Sequence, residues 1–152
     1  MRVFSRLEFN EPAHCLKVQE HLWREALAKA VPDPVVGIRH EAIAGDADYR
    51  IHVAAIPHQV GCHFHAQGSE VYEVVEGAGR LHFGQVVSAG GAFEVNWETP
   101  VDVATGDRFV IPEGYAHQLR KQGEGELTIL FACPDSHLDD AVDRTILPDA
   151  PR

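Results

Sequence analysis

The sequence predicts an all-β protein whose short antiparallel strands form a sandwich, a jelly roll or a barrel. From residue 35 onward, apolar and β-branched residues recur in short runs, and most breaks between runs contain Gly, Pro, Asp or Asn. No helical pattern separates the runs, although a parallel sheet needs long crossover connections that are usually helical. A parallel sheet is therefore disfavoured.

The segment before these runs has a different pattern and predicts one helix over residues 11–31. Asn10 is placed as its N-cap and Pro12 lies near its first turn. Apolar residues recur at helical spacing, namely Leu16, Leu22, Trp23, Ala26, Leu27 and Ala30. An amphipathic helix of this kind packs over a sheet, and the following VPDPVVG segment ends it.

Ten strands are expected after the helix. They are residues 35–43, 49–56, 62–66, 70–76, 80–86, 92–97, 101–104, 108–112, 117–121 and 126–132. The acidic, proline-bounded tail has at most a short helix around residues 136–144. A chain of 152 residues suits a single core. We therefore expect one domain with a helical extension (1–34), a β-barrel (35–134) and a C-terminal tail (135–152).

Composition narrows the possible functions. The formal net charge of −10 argues against a nucleic-acid or anionic-membrane surface, because both depend on positive potential. No apolar run reaches the roughly 18 to 20 residues that cross a bilayer, and the first residues lack the apolar stretch of a signal peptide. Cys15, Cys62 and Cys133 are widely spaced and form no CxxC pair, which favours free thiols. We expect a cytoplasmic protein.

Two histidines at alternate positions mark the first candidate site. Side chains alternate between the faces of a strand, so His63 and His65 share one face while Cys62 lies on the other. Gly68 permits a tight reversal, and an antiparallel hairpin would return Glu70 beside the histidine pair. By the same alternation, Glu73 points away from it.

A second segment, GDRFVIPEGYAHQ, contains another histidine. A strand ends there at Pro112, Gly114 permits a turn, and His117 opens the next strand. The two segments together resemble the cupins, whose motifs are G-x5-H-x-H-x3/4-E-x6-G and G-x5-P-x-G-x2-H-x3-N. The resemblance covers about residues 57–121, and it departs from the motifs where Pro57 replaces a glycine and Lys121 replaces an asparagine. Neither position is a metal ligand in the motifs.

The resemblance implies a cupin jelly-roll β-barrel in which His63, His65, Glu70 and His117 converge on one metal ion. Three imidazoles and one carboxylate suit a divalent transition metal (Fe, Mn, Ni, Co or Zn) better than Ca or Mg. In an octahedral shell this set leaves about two positions open for water, dioxygen or substrate. That openness favours a catalytic centre over a closed structural one.

Several activities are compatible with such a centre. We expect a metalloenzyme acting on a small oxygenated substrate, of the dioxygenase or the isomerase and lyase type. The ligand set resembles that of flavonol-type dioxygenases, whereas the EVY segment resembles cupin-type phosphoglucose isomerases. The alternative is a cupin that binds or senses a small ligand without turnover. The resemblance also implies a homodimer.

Other residues have less specific roles. Glu70 is a candidate proton shuttle, and Tyr72 shares its face and is a candidate pocket residue; these two are the predicted catalytic residues. His52 and His82 are either hydrogen-bond partners of the metal ligands or ordinary buried or surface histidines. Cys62 is expected to be a small core residue, not a nucleophile.

Overall fold

The structure, a computed structural model, describes residues 16–152 and contains one α-helix and twelve strands within this range. The elements are α1 (Glu20–Ala28), β1 (Val31–Asp33), β2 (Ile38–Asp46), β3 (Tyr49–Ile56), β4 (His63–Phe64), β5 (Glu70–Glu76), β6 (Ala78–Ala89), β7 (Ala92–Trp97), β8 (Val101–Ala104), β9 (Arg108–Ile111), β10 (Tyr115–Gln122), β11 (Leu127–Cys133), a 3-10 helix (Asp135–Leu138) and β12 (Thr145–Ile146).

The strands form two sheets in which every pairing is antiparallel. The first has the order β1-β2-β3-β11-β5-β9 and the second the order β12-β4-β10-β6-β7, with β8 also paired to β6. Side chains from both sheets meet in one buried core that includes Val74, Leu81, Phe109, Leu119 and Ile129. The predicted all-β jelly-roll barrel is confirmed.

The N-terminal helix is shorter than predicted. Within the described residues it begins at Glu20, and residues 16–19 are not helical. Lys17 has a φ of 53°, which interrupts a right-handed helix, and Val31 already belongs to β1. The proposed N-cap Asn10 and Pro12 lie outside the described residues.

Helix α1 covers the outer face of the first sheet, as an amphipathic helix should. Trp23 and Ala26 are buried against Val53 of β3 and Leu130 of β11. Arg24 lies 4.4 Å over the Trp23 ring and pairs with Glu76 of β5 at 2.9 Å. This helix therefore packs on the barrel and takes no part in its interior.

The ten predicted runs all coincide with strands, but β1 and β12 were not predicted. Both are very short, and β12 lies in the tail, where it pairs with β4. At the tip between β6 and β7, Gly90 and Gly91 have φ values of 57° and 83°, as a tight hairpin turn requires. Among residues 16–152, no helix has both the length and the apolar character needed to span a membrane.

The predicted hairpin between the histidine pair and Glu70 is wrong. Strand β4 belongs to the second sheet and β5 to the first, so the two strands do not pair. Gly68 has a φ of 83°, but the segment that contains it crosses from one sheet to the other. Glu70 therefore approaches the histidines across the barrel, from the opposite wall.

Candidate metal centre

Three buried histidines lie together on the inner face of the second sheet. His63 of β4 is directly opposite His117 of β10, and their ring centroids are 4.4 Å apart. His65 follows β4, with its ring centroid 5.0 Å from that of His63 and 5.6 Å from that of His117. The antiparallel register thus brings together two histidines that are far apart in the sequence.

Glu70 faces these histidines from the first sheet. Its Oε1 lies 3.3 Å from Nε2 of His117, and its Oε2 lies 3.3 Å from Nε2 of His65. Inward and outward positions alternate along β5, so Glu70, Tyr72 and Val74 are buried. Glu73 lies on the other face, as predicted from alternation.

The four predicted metal ligands are brought together by the fold. One potential donor atom from each of His63, His65, Glu70 and His117 lies within 4.8 Å of the others. All four side chains are buried. A group of this size and composition could hold a transition-metal ion.

Backbone carbonyls determine which ring nitrogen of each histidine carries the proton. A carbonyl oxygen only accepts, so each Nδ1 must donate an N–H, and Nε2 is the ring nitrogen left for a metal ion. The three contacts are His63 Nδ1 to Gly61 O at 2.6 Å, His65 Nδ1 to Asp143 O at 2.6 Å, and His117 Nδ1 to Tyr115 O at 3.2 Å.

This arrangement leaves one buried polar atom without a hydrogen bond. Nε2 of His65 is within 3.3 Å of Glu70, yet the geometry makes no hydrogen bond. A buried ring nitrogen without a partner is costly unless something binds to it, and a metal ion would do so. The pKa of His63 lies well below its usual range, mainly because the ring is buried and secondly because His117 and His65 are close to it. The imidazole of His63 is therefore neutral.

Glu70 is ionised despite its burial. Burial by itself raises the pKa of a carboxyl, but the surrounding histidines, His65 first and then His117 and His137, bring the pKa of Glu70 well below its usual range. Burial and the nearby Glu70 charge raise the pKa of Tyr72 well above its usual range. Tyr72 therefore keeps its proton, and its hydroxyl donates a hydrogen bond of 2.5 Å to Oε1 of Glu70.

His137 is a further member of the site that the sequence interpretation missed. Its Nδ1 lies 2.9 Å from Oε2 of Glu70, its Nε2 lies 2.6 Å from the carbonyl oxygen of Gln67, and its ring stacks on His65 at 3.9 Å. Both partners are acceptors, so both ring nitrogens donate. Although burial opposes charge, the Glu70 hydrogen bond raises the pKa of His137.

The signal for His137 was weak because it lies outside both motifs. It sits in the PDSHLDD segment of the acidic tail, which folds back as a 3-10 helix with His137 fully buried. A histidine placed between Pro134 and a run of acidic residues predicts a surface loop as readily as a site. The contact between His137 and Glu70 depends on the tail folding back so that β12 pairs with β4.

The other residues considered in the sequence have different surroundings. His52 is buried and stacks on Phe131 at 4.7 Å, and burial lowers its pKa to about 4. His82 interacts with Arg120 at 3.0 Å, and neither histidine contacts a predicted metal ligand. Cys62 packs on the outer side of the second sheet, where burial raises the pKa of its thiol to about 11. The thiol is thus a poor nucleophile, as expected.

A narrow cavity leads to this group. Its volume is about 30 Å³. His63, Glu70 and His137 form one part of its lining. The rest is mainly aliphatic and aromatic, with the polar side chains of His40 and Arg144. The cavity is therefore suited to a small ligand.

Several solved structures share this fold. Hydroquinone 1,2-dioxygenase PnpCD in complex with Cd²⁺ and 4-hydroxybenzonitrile has a TM-score of 0.51 and 14% identity, over 61% of each chain. KdgF from Halomonas sp. has a TM-score of 0.52 and 19% identity, over 69% of this chain and 86% of that one. CapF with the inhibitor 3-isopropenyl-tropolone has a TM-score of 0.58 and 20% identity, over 78% of this chain but only 33% of that one.

At these identities the likeness concerns the fold alone. A search of curated protein sequences finds no match to this chain. The sequence profile described as Cupin, however, matches residues 50–144, which is more than half of the chain and includes both motifs and His137. The two motifs, the jelly roll and this profile together show that the chain belongs to the cupin family.

Proposed function

We propose that this cupin binds one divalent transition metal through His63, His65, Glu70 and His117 and acts as a metal-dependent enzyme on a small oxygenated substrate. One observation carries the proposal. Each of the three imidazoles donates an Nδ1 hydrogen bond to a backbone carbonyl, which leaves Nε2 of each ring for a metal ion, and the donor atoms of the four residues lie within 4.8 Å of one another.

The donor set limits the metal. Three imidazole nitrogens and one carboxylate oxygen favour Fe, Mn, Ni, Co or Zn over Ca or Mg. When bound, such an ion supplies a Lewis acid or a site for dioxygen, with about two coordination positions left for substrate or solvent. A buried site without a cysteine among the four residues is unlike a structural zinc site.

Glu70 and Tyr72 are the protein groups that would move or hold a proton beside the substrate. Tyr72 donates to Oε1 of Glu70, and its hydroxyl also lies 3.3 Å from Nε2 of His117. His137 donates to Oε2. Glu70 is thereby oriented from both oxygens, and we assign it the role of proton shuttle, with Tyr72 as the donor that positions it.

The cavity walls favour a substrate with an apolar body. Val36, Ile38, Val60, Ile129 and Phe131 line it, whereas a polyhydroxylated sugar needs many hydrogen-bond partners. This favours the dioxygenase type over a sugar isomerase. The substrate would carry its oxygen atoms toward Glu70 and its apolar part toward Phe131.

Metal analysis followed by oxygen uptake tests the function. Protein purified without added metal should contain about one transition-metal ion per chain, and His63→Ala should contain almost none. The matched control is His58→Ala, since His58 is exposed and only five residues away. Equal metal content in the wild type and in His63→Ala would rule out the assignment.

The same experiment separates catalysis from binding. Iron together with oxygen uptake in a screen of small phenols and enols supports a dioxygenase. Manganese or zinc without uptake supports an isomerase or lyase. Tight binding of a small ligand without turnover would instead identify a binding or sensing cupin.

We also propose that the protein is a cytoplasmic homodimer without nucleic-acid or membrane partners. The outer face of the second sheet carries an apolar cluster around Cys62, Phe64 and Ala116, and Phe93, which packs on Phe64, is 53% exposed. Unlike the first sheet, this face has no helix over it among the described residues. Phe93→Glu should convert a dimer to a monomer in light scattering, whereas Val142→Glu, also at an exposed site, should not.

The proposed compartment and partners are supported by two further features. The thiols of Cys62 and Cys133 are both free and buried, which suits a reducing compartment. The net charge of −10 disfavours binding to nucleic acids and anionic lipids. Fractionation of the source cells would test the location directly.

A further inference from the structure

A second group of polar residues lines the cavity away from the predicted metal ligands. His40 of β2 and Arg144, which precedes β12, share the lining with His63 and Glu70. Neither His40 nor Arg144 belongs to either cupin motif. Their position places both polar groups on the wall of one cavity.

Asp33, the last residue of β1, connects these two side chains. Its Oδ2 accepts a hydrogen bond from Nη1 of Arg144 at 2.8 Å and lies 3.3 Å from Nε2 of His40. The side chains are largely buried, with exposed fractions of 20% for His40, 15% for Asp33 and 5% for Arg144. Arg144 is itself held by Asp140 through two hydrogen bonds of 2.8 Å and 3.2 Å. The group is therefore rigidly built.

The Asp33 contact determines which ring nitrogen of His40 donates a hydrogen bond. A carboxylate only accepts, so His40 donates from Nε2, and Nδ1 is the ring nitrogen left for a ligand. Although burial alone raises the pKa of Asp33, the hydrogen bond and charge of Arg144, and then the hydrogen bond of His40, bring it below the usual value. Asp33 therefore stays ionised and holds the ring in one tautomer.

The rings beside His40 are apolar or uncharged. His52 and Phe131 contact its ring edge to face, at centroid distances of 6.1 Å and 6.3 Å. Burial keeps His52 neutral at ordinary pH, so this ring brings no charge to His40. Asp33 is the charged group that contacts His40, and Arg144 in turn contacts Asp33.

We propose that His40, oriented by Asp33, accepts the hydroxyl proton of the small oxygenated ligand that binds in this cavity. The O–H bond breaks, the proton passes to Nδ1 of His40, and the electron pair remains on the ligand oxygen. The proton returns when the ligand leaves, so no oxidant or reductant is required. This inference rests on the proposed function, since it assigns a base to that same site.

The inference extends the substrate class. A ligand that uses both ends of the cavity has an ionisable hydroxyl near His40 and an oxygen donor near Glu70, joined by a compact apolar frame. Enols and phenols with neighbouring oxygen atoms have this chemistry. A ligand without an acidic hydroxyl would gain nothing from His40.

Binding of 4-nitrocatechol to the protein loaded with its purified metal tests this role without any turnover. The visible absorption of this probe depends on how many of its hydroxyl groups are ionised. We expect the wild type to bind the fully ionised form. His40→Gln should keep its metal, bind the probe about tenfold or more weakly at pH 7, and leave one hydroxyl protonated, since one pKa unit of lost assistance is a factor of ten.

Two variants complete the experiment. His58→Gln, at an exposed histidine, should behave as the wild type. Asp33→Asn keeps the imidazole but removes the carboxylate that orients it. It should shift the spectrum of the bound probe in the same direction as His40→Gln does, but by a smaller amount. If His40→Gln does not fold, Asp33→Asn provides the test.

The possible failures are distinguishable. A wild-type protein that holds no metal overturns the proposed function together with this inference. If metal is present but the probe does not bind, or if His40→Gln and Asp33→Asn bind it with the wild-type affinity and spectrum, only the role of His40 is overturned.

Discussion

The interior of the barrel has two halves that are equally buried but chemically opposite. The metal half contains His63, His65, Glu70, His117 and His137, and the apolar half contains Val74, Leu81, Phe109, Leu119 and Ile129. Glu70 is 3% exposed and Phe109 is 0% exposed. The change occurs along single strands, since β5 passes from Glu70 to Val74 on one face.

The difference shows that burial by itself does not define a role. Apolar side chains stabilise the fold by leaving water, whereas a buried carboxylate or imidazole costs free energy unless every partner is in place. In the metal half those partners are carbonyls, a tyrosine and a fourth histidine. We therefore expect the apolar half to determine stability and the metal half to determine metal binding.

The largest expected effect on stability is that of Phe109→Ala. Removing this fully buried ring should lower the free energy of unfolding by about 3–5 kcal/mol, because it leaves a cavity in the apolar half. Urea denaturation of the metal-free protein measures the change. Metal content per folded chain should stay at the wild-type level, and its loss would show that the two halves are not separable.

The converse substitution is Glu70→Gln. We expect metal affinity to fall by more than about 100-fold. This exceeds the loss of affinity that follows when only a hydrogen-bond partner of a metal ligand is removed. The unfolding free energy of the metal-free protein should change by about 1–3 kcal/mol, because the hydrogen bond from His137 is weakened. Chelator competition measures the affinity, with Glu124→Gln at an exposed site as the control. Unchanged affinity would remove Glu70 from the ligand set.

His137→Leu should have an intermediate effect. This change keeps most of the volume but removes the hydrogen bond to Oε2 of Glu70. The loss of such an outer partner typically lowers metal affinity by about 10- to 100-fold. The same chelator competition applies, and an affinity within twofold of the wild type, on the order expected for an uninvolved residue, would contradict the role of His137.

The smallest effect is expected at the boundary between the halves. Tyr72 stacks on Phe109 at 5.1 Å and donates its hydroxyl to Glu70, so it belongs to both halves. Tyr72→Phe keeps the stacking and removes one hydrogen bond, which should cost about 0.5–1.5 kcal/mol of stability. Its effect on metal affinity should be smaller than that of His137→Leu. A larger effect on metal affinity than that of His137→Leu would show that Tyr72 acts mainly in metal binding.

Much of the fold was predictable because alternating runs and turn residues are local signals. All ten runs became strands, and alternation along β5 correctly separated Glu70 from Glu73. The two unpredicted strands, β1 and β12, are too short to show a pattern. Asp33 ends β1 and Arg144 directly precedes β12, and the two side chains form a hydrogen bond. Because neither strand was predicted, the sequence contained no indication that these residues and His40 form a polar group at the cavity.

The sequence by itself determined the family, the strand pattern and four of the five residues that meet in the metal half, since these depend on spacing within short segments. Only the tertiary structure decided how they meet. Glu70 comes from the opposite sheet and not from a hairpin, and His137 returns from the tail to bind it. The physical reason is that contacts between sheets depend on chain crossings, which carry no local periodicity.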